Sequence, residues 1–216
     1  ARQTLAPRSR TGAVGAQALV VAMVESTDGG RHFGRATTPG PTVFGLAPAA
    51  GLLVPTGPSL ATDPRDGSVY AVYTVAHPGP APADDIVLAH SRNGGRTWTT
   101  AAPVTPGPGA DHAVYFQPRV VIDGAGSVAV SYLVLAHGRV DVMLARPTTH
   151  GVLRQRITSR SFDPALGLPG DKEGLWWIGD YQGLAAGPRM IYPCWSDTRT
   201  GHLEIVTATV PGVAPR

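Results

Sequence analysis

Pro58-Ser-Leu-Ala-Thr-Asp63, followed after a short turn by Gly67-Ser-Val-Tyr-Ala-Val-Tyr73, reappears as Pro118-Arg-Val-Val-Ile-Asp123 and Gly126-Ser-Val-Ala-Val-Ser-Tyr132. Each copy alternates or runs apolar over four to eight residues and is broken by Asp and Gly, the pattern of two strands joined by a tight turn. A more diverged copy begins at Tyr181, passes through Leu184-Ala185-Ala186 and the turn Gly187-Pro188-Arg189, and continues from Met190 to Trp195. Recurrence over several tens of residues is the signature of a repeat architecture, in which each copy is one supersecondary unit that buries its apolar face against the next.

A third strand follows each pair. It opens with an acidic and a β-branched residue and places an alanine three positions on: Asp85-Ile86 to Ala89, Asp141-Val142 to Ala145, Glu204-Ile205 to Ala208. The first of these runs into Ser91-Arg-Asn93-Gly94-Gly95-Arg-Thr97-Trp98, and an earlier segment has the related Ser26-Thr-Asp28-Gly29-Gly30-Arg-His32-Phe33. Mechanically this is a hairpin staple. The Asp or Asn side chain bonds backbone amides, the Gly pair supplies positive φ, and the closing aromatic is expected to drop into the core.

Composition agrees with a strand-and-turn protein. The chain has 216 residues with 27 Gly and 21 Pro, 15% charged residues and 43% hydrophobic ones, enough to bury a core and too apolar for a disordered chain. The longest apolar run, Ala18 to Val24, is far short of the ~20 residues of a membrane helix, so no such span is expected. The net charge of +3 comes from Arg scattered along the chain, with Lys172 as the single Lys, so no nucleic-acid footprint is expected. A single cysteine, Cys194, excludes an internal disulfide, and the seven His show no metal-ligand spacing, so neither a metal nor another cofactor is expected. No phosphate-cradling Gly-rich loop and no Gly-x-Ser-x-Gly elbow occurs. Asp63, Asp66 and Asp123 sit in Asp- and Gly-rich turns and are read as turn residues.

The Ser91 and Ser26 segments resemble the Asp box, Ser-x-Asp-x-Gly-x-Thr-Trp, of the sialidase-type β-propellers, also called the bacterial neuraminidase repeat. Its structural positions here are Ser26, Asp28, Gly30 and Phe33, and Ser91, Asn93, Gly95, Thr97 and Trp98, with Asn93, His32 and Phe33 departing from the pattern. The resemblance implies an all-β propeller of four-stranded antiparallel blades: a half blade at about 17–38, full blades at about 57–104 and 117–158, and three strands at about 180–210. That is about three and a half blades. It resembles the C-terminal half of a six- or seven-bladed ring, whose remaining blades would lie upstream; a four-bladed ring closed by mixed terminal strands is the alternative.

In such propellers the innermost strands line a channel, and the long connections entering them carry function. Thr105 to Phe116 brings Asp111, His112, Tyr115 and Phe116; Ser159 to Ile178 brings Asp171, Lys172, Glu173, Trp176 and Trp177. A Trp pair beside carboxylates suits stacking on a sugar ring, and burial of each Trp between blades is the competing reading. Catalytic members of the family use a Tyr nucleophile activated by a Glu, and Arg side chains that grip the substrate carboxylate. Gly179-Asp180-Tyr181-Gln182-Gly183-Leu184 resembles the Tyr-bearing segment, with Gln182 in place of Ser. The resemblance thus implies Tyr181 as nucleophile, Glu173 as its base, Asp197 as the acid steadying an Arg, and Arg119, Arg199 and Asp180 as substrate ligands.

Two functions stay open at this point. One is a secreted exo-α-sialidase acting on a terminal sialic acid or a related anionic sugar of a glycoconjugate. The other is a non-catalytic propeller that binds glycans or proteins, since fold alone does not choose.

Overall fold

The computed structural model describes residues 18–40, 43–44, 52, 57–77, 83–107, 113–166, 168 and 176–212. Within them the chain is all β, with fourteen strands and no helix. β1 (Ala18–Leu19) pairs antiparallel with β2 (Val43–Phe44), and between them Met23 and Thr37 exchange backbone hydrogen bonds of 2.8 Å, so this segment is one long hairpin closed by the Ser26 turn. Three larger antiparallel sheets follow in chain order.

The first sheet holds β3 (Ser59–Thr62), β4 (Val69–His77), β5 (Ala83–Ser91) and β6 (Ala102–Pro103), paired in that order. The second repeats it with β7 (Val114–Ile122), β8 (Val128–Ala136), β9 (Arg139–Thr148) and β10 (Gly151–Arg156). The third has β11 (Gly183–Ala186), β12 (Met190–Asp197), β13 (Glu204–Thr207) and β14 (Val210–Pro211), but both β13 and β14 pair with β12. Cys194 opposes Thr207 and Ile191 opposes Val210 in one continuous register, so the two strands form a single line along β12. Their ladder is interrupted opposite Pro193, which has no N–H to donate, although its carbonyl still accepts from Ala208 N–H at 3.1 Å.

The sheets stack face to face. Val72 and Ile86 of the first meet Val120, Val130 and Tyr132 of the second, and on the opposite side of β8 Ala129 joins Leu144 in packing on Ile191 and Val210 of the third. Polar links between units keep the spacing of the sequence repeat. Val120 N–H donates to Ser59 Oγ across 61 residues, Arg65 to the Ala125 carbonyl across 60, and Arg119 to the Gln182 carbonyl across 63. Each unit therefore leans on its sequence neighbour, as blades of an arc do.

The hairpin staples form as their residues dictate. Ser91 Oγ accepts from Gly95 N–H at 2.8 Å, Asn93 Oδ1 accepts from Thr97 N–H at 2.9 Å, and Gly94 and Gly95 take φ of 71° and 88°. In the other copy Ser26 Oγ accepts from Gly30 N–H at 2.8 Å, Asp28 Oδ1 accepts from Arg31 and His32 N–H at 3.0 and 2.9 Å, and Gly29 and Gly30 take φ of 74° and 86°. The closing aromatics differ. Trp98 is half-buried, its indole N–H donating to the Gly95 carbonyl at 3.0 Å and to Thr37 Oγ1 at 3.3 Å in the preceding hairpin. Phe33, expected in the core, is instead 63% exposed. An aromatic at this position is covered by the preceding unit, as Trp98 is by Thr37, and no such unit faces Phe33 among the described residues.

Candidate functional site

Antiparallel pairing puts the starts of β3, β7 and β11, the first strand of each sheet, at one end of the stack and the Ser91 staple turn at the other. Val69, which follows the first inner turn, opposes Ser91, whereas Gly183 at the start of β11 opposes Cys194 near the end of β12. Arg119 and the segment 176–182 lie toward the first end.

Arg119 reaches this position through a break in its strand. The β7–β8 register slips between Phe116 and Arg119, and Gln117 sits there at φ 50°, an uncommon conformation for a residue other than glycine. Two glutamines knit the bulge to the next unit: the Gln117 amide donates to the Gly179 carbonyl, and the Gln182 amide donates to the Gln117 carbonyl. Gly179 takes φ 101°, which lets the chain reverse ahead of β11.

Among the described residues the Arg119 guanidinium is held by carbonyls alone. Nε donates to the Gln182 carbonyl at 2.8 Å and one terminal nitrogen to the Pro118 carbonyl at 2.9 Å, and Arg119 has no carboxylate partner among the described residues. Burial lowers its pKa, and the nearby Tyr181 hydroxyl acts the other way. An Arg stays protonated at neutral pH in spite of such a shift. The result is a part-buried positive charge with hydrogen-bonding capacity left over. Its guanidinium carbon lies 6.0 Å from the centroid of the Tyr181 ring, at the outer range of a cation–π contact.

Tyr181 itself is 78% exposed, and no hydrogen bond ties down its hydroxyl among the described residues. Its neighbour Asp180 accepts instead from the Trp177 indole N–H, at 3.2 Å. The two adjacent tryptophans face opposite ways: Trp176 turns inward onto the core around Phe162, Ile178 and Trp195 and bridges Leu52, while Trp177 turns out, 53% exposed.

Asp197 and Arg199 form a second polar centre at the end of β12. Asp197 is buried, accepts from the Trp195 indole N–H at 3.0 Å, and is gripped by Arg199 through Nε at 2.9 Å and a terminal nitrogen. Burial works against ionisation of Asp197, but the bonds from Arg199 and Trp195 outweigh it and hold its pKa below the ordinary 3.8. Arg199 further reaches Ser159 Oγ at 3.2 Å, so its donors are largely engaged within the protein. None of the hydrogen bonds or ion pairs of this pair extends to Tyr181.

The structure thus brings Arg119, Tyr181, Asp180 and Trp177 to one neighbourhood, keeps Asp197 with Arg199 in a separate ion pair, and gives Trp176 to the core. Glu173, with Asp111, His112, Asp171 and Lys172, lies outside the described residues. Gln117 and Gln182, which position Arg119, were not singled out as site residues in the sequence. The Gln117-Pro118 step inside an apolar strand was the available signal, because Pro is confined to edges and bulges.

Comparison with known proteins points the same way at the level of fold. No protein-family profile and no curated protein sequence matches the chain. Among solved structures, the Hadza microbial sialidase Hz136 is similar with a TM-score of 0.54 at 14% identity, over 91% of this chain and 40% of its own length. A protein of unknown function from Dyadobacter fermentans DSM 18053 is similar with a TM-score of 0.53 at 15% identity, over 88% of this chain and 48% of its own. The chain spans under half the length of either. At these identities the likeness is one of fold, a sialidase-like all-β arrangement.

Proposed function

We propose that this chain binds a terminal anionic sugar, of the sialic acid class, through Arg119 beside Tyr181. The observation that carries the reading is Arg119: part-buried, fixed by two backbone carbonyls and without a carboxylate of its own among the described residues. A guanidinium so held is oriented before a ligand arrives, which lowers the ordering cost of binding a carboxylate. The exposed Tyr181 ring supplies an apolar face next to that charge, with a hydroxyl that makes no hydrogen bond among the described residues. A sialidase-like fold with Asp-box hairpins, found in a secreted protein that meets extracellular glycoconjugates, is the setting this reading implies.

Hydrolysis is a second reading, favoured by the closeness of Arg119 to Tyr181. A phenol has a reference pKa of about 10 and needs an adjacent base to act as a nucleophile. Asp180, the nearest acid in sequence, bonds Trp177, and Glu173 is outside the described residues. Binding is therefore the function the arrangement supports best. The test is titration with the α-methyl glycoside of N-acetylneuraminic acid against the neutral methyl galactoside. Saturable binding of the acid alone, lost in Arg119→Ala, supports the reading; equal response to both ligands overturns it. Release of fluorophore from a fluorogenic sialoside, abolished by Tyr181→Phe, would establish the hydrolase.

A further inference from the structure

Ile86, Val142 and Ile205 hold one position in the three larger sheets. Each follows an acidic residue in the third strand and lies opposite a residue of the second strand, Thr74, Leu133 and Ser196 respectively. Ile86 is buried in a cluster with Val120, Val130 and Tyr132 of the second sheet, and Val142 is buried in one with Trp195 of the third. Ile205 is 73% exposed. The position that the next unit covers twice is therefore open on the third sheet. Tyr192, an even number of residues from Ser196 along β12, is exposed on the same face.

The β1–β2 hairpin shows the converse. Its Val21 packs against Tyr73, Val75 and Val87 of the first sheet, while Val20, Val24 and Phe33 are exposed. The hairpin is thus covered by the unit that follows it and open elsewhere. Both open faces belong to one chain, and within one copy they do not cover each other.

We propose that the open face of the third sheet receives the β1–β2 hairpin of a second copy of this chain, so that copies join head to tail. The docking continues an interface that the molecule already makes twice, because a sheet of the same repeat covers both Ile86 and Val142. Within the chain, each sheet offers one face to the unit before it and the other to the unit after it. Joining copies the same way is a heterologous contact, with different surfaces on the two partners. Removing Val20, Val24, Phe33, Tyr192 and Ile205 from water drives it. The Arg119 site takes no part.

Sedimentation velocity of the 216-residue chain tests this with Ile205→Lys and Val24→Lys, both at exposed positions. Tyr192→Lys and Phe33→Lys replace either variant whose melting temperature shows that it does not fold. The wild type is expected to self-associate, and each variant alone to do so at least about tenfold more weakly. An equimolar mixture of the two should recover the wild-type affinity and stop at one copy of each. The hairpin of Ile205→Lys and the third sheet of Val24→Lys are then the intact pair of faces. A monomeric wild type overturns the proposal and leaves the face to a different protein. Self-association of Val24→Lys at wild-type strength also overturns it, by setting the third sheet against itself, as does a mixture no tighter than either variant.

Discussion

The Arg119 guanidinium carbon lies 6.0 Å from the centroid of the Tyr181 ring, although Arg119 lies in the second sheet and Tyr181 just ahead of the third. The contact exists because the β7–β8 ladder, broken at Gln117 and Pro118, resumes at Arg119 opposite Ser131, and the Gln182 carbonyl catches the Arg119 Nε at 2.8 Å.

If that arrangement binds a carboxylate, Arg119→Ala should weaken a sialoside by roughly 100-fold, because charge-assisted hydrogen bonds are worth about 1.5–3 kcal/mol each. Arg119→Lys should recover only part of the loss, since an ammonium cannot both hold the Gln182 carbonyl and present a planar fork. Calorimetric titration of the three proteins checks this.

The Asp197–Arg199 pair predicts a stability effect without a comparable effect on ligand binding. Arg199→Ala leaves a buried carboxylate unpaired and is expected to cost about 3 kcal/mol or more in a denaturant melt. Because the folded pKa of Asp197 is held below 3.8, its stabilising contribution is present above about pH 4 and is lost as the pH falls through the folded value. Asp197→Asn should flatten that acid limb of the stability profile.

The two closing aromatics should separate sharply. Trp98→Ala removes a half-buried indole together with its bonds to Gly95 and Thr37 and is expected to cost about 2–3 kcal/mol. Phe33→Ala, at a ring mostly in solvent, should fall within about 0.5 kcal/mol. Equal losses in thermal denaturation would mean that Phe33 is covered in solution.

Asn93→Asp should be tolerated. Asp28 makes the corresponding contacts in the other hairpin, accepting from two backbone N–H groups and from Ser26 Oγ at 2.9 Å. A carboxylate at position 93 would accept from Thr97 Oγ1, where Asn93 now donates to it. A melting temperature within a few degrees of wild type is expected, whereas Ser91→Ala, which strands the buried Gly95 N–H, should cost about 1–2 kcal/mol.

The third sheet predicts association. Its inner face carries Leu184, Ile191 and Val210 against the second sheet, but the opposite face presents Ala185, Tyr192 and Ile205, the last 73% exposed. Beyond β13 no further strand pairs among the described residues, and unpaired edges beside apolar faces recruit other chains. Sedimentation velocity of the 216-residue chain should show concentration-dependent oligomers, reduced by Ile205→Lys.

The sequence alone determined most strands and their turns, although Val114–Phe116, read from it as the end of a connection, belongs to β7 and buries Tyr115 and Phe116 in the core. Alternating apolar residues ended by Asp-Gly chemistry act over a few positions, so Asp63 to Gly67, Asp123 to Gly126 and the two Ser-to-aromatic staples carry their structure locally, and their repetition announces stacked sheets. What each side chain faces is another matter, because that depends on units some 60 residues away. The same staple leaves Trp98 against Thr37 and Phe33 in solvent; adjacent tryptophans divide into core and surface; Asp197 and Arg199 satisfy each other while Arg119 is left with carbonyls and Tyr181. Burial and charge pairing are properties of the packed arrangement, and only the tertiary structure decides which cation remains available to a ligand.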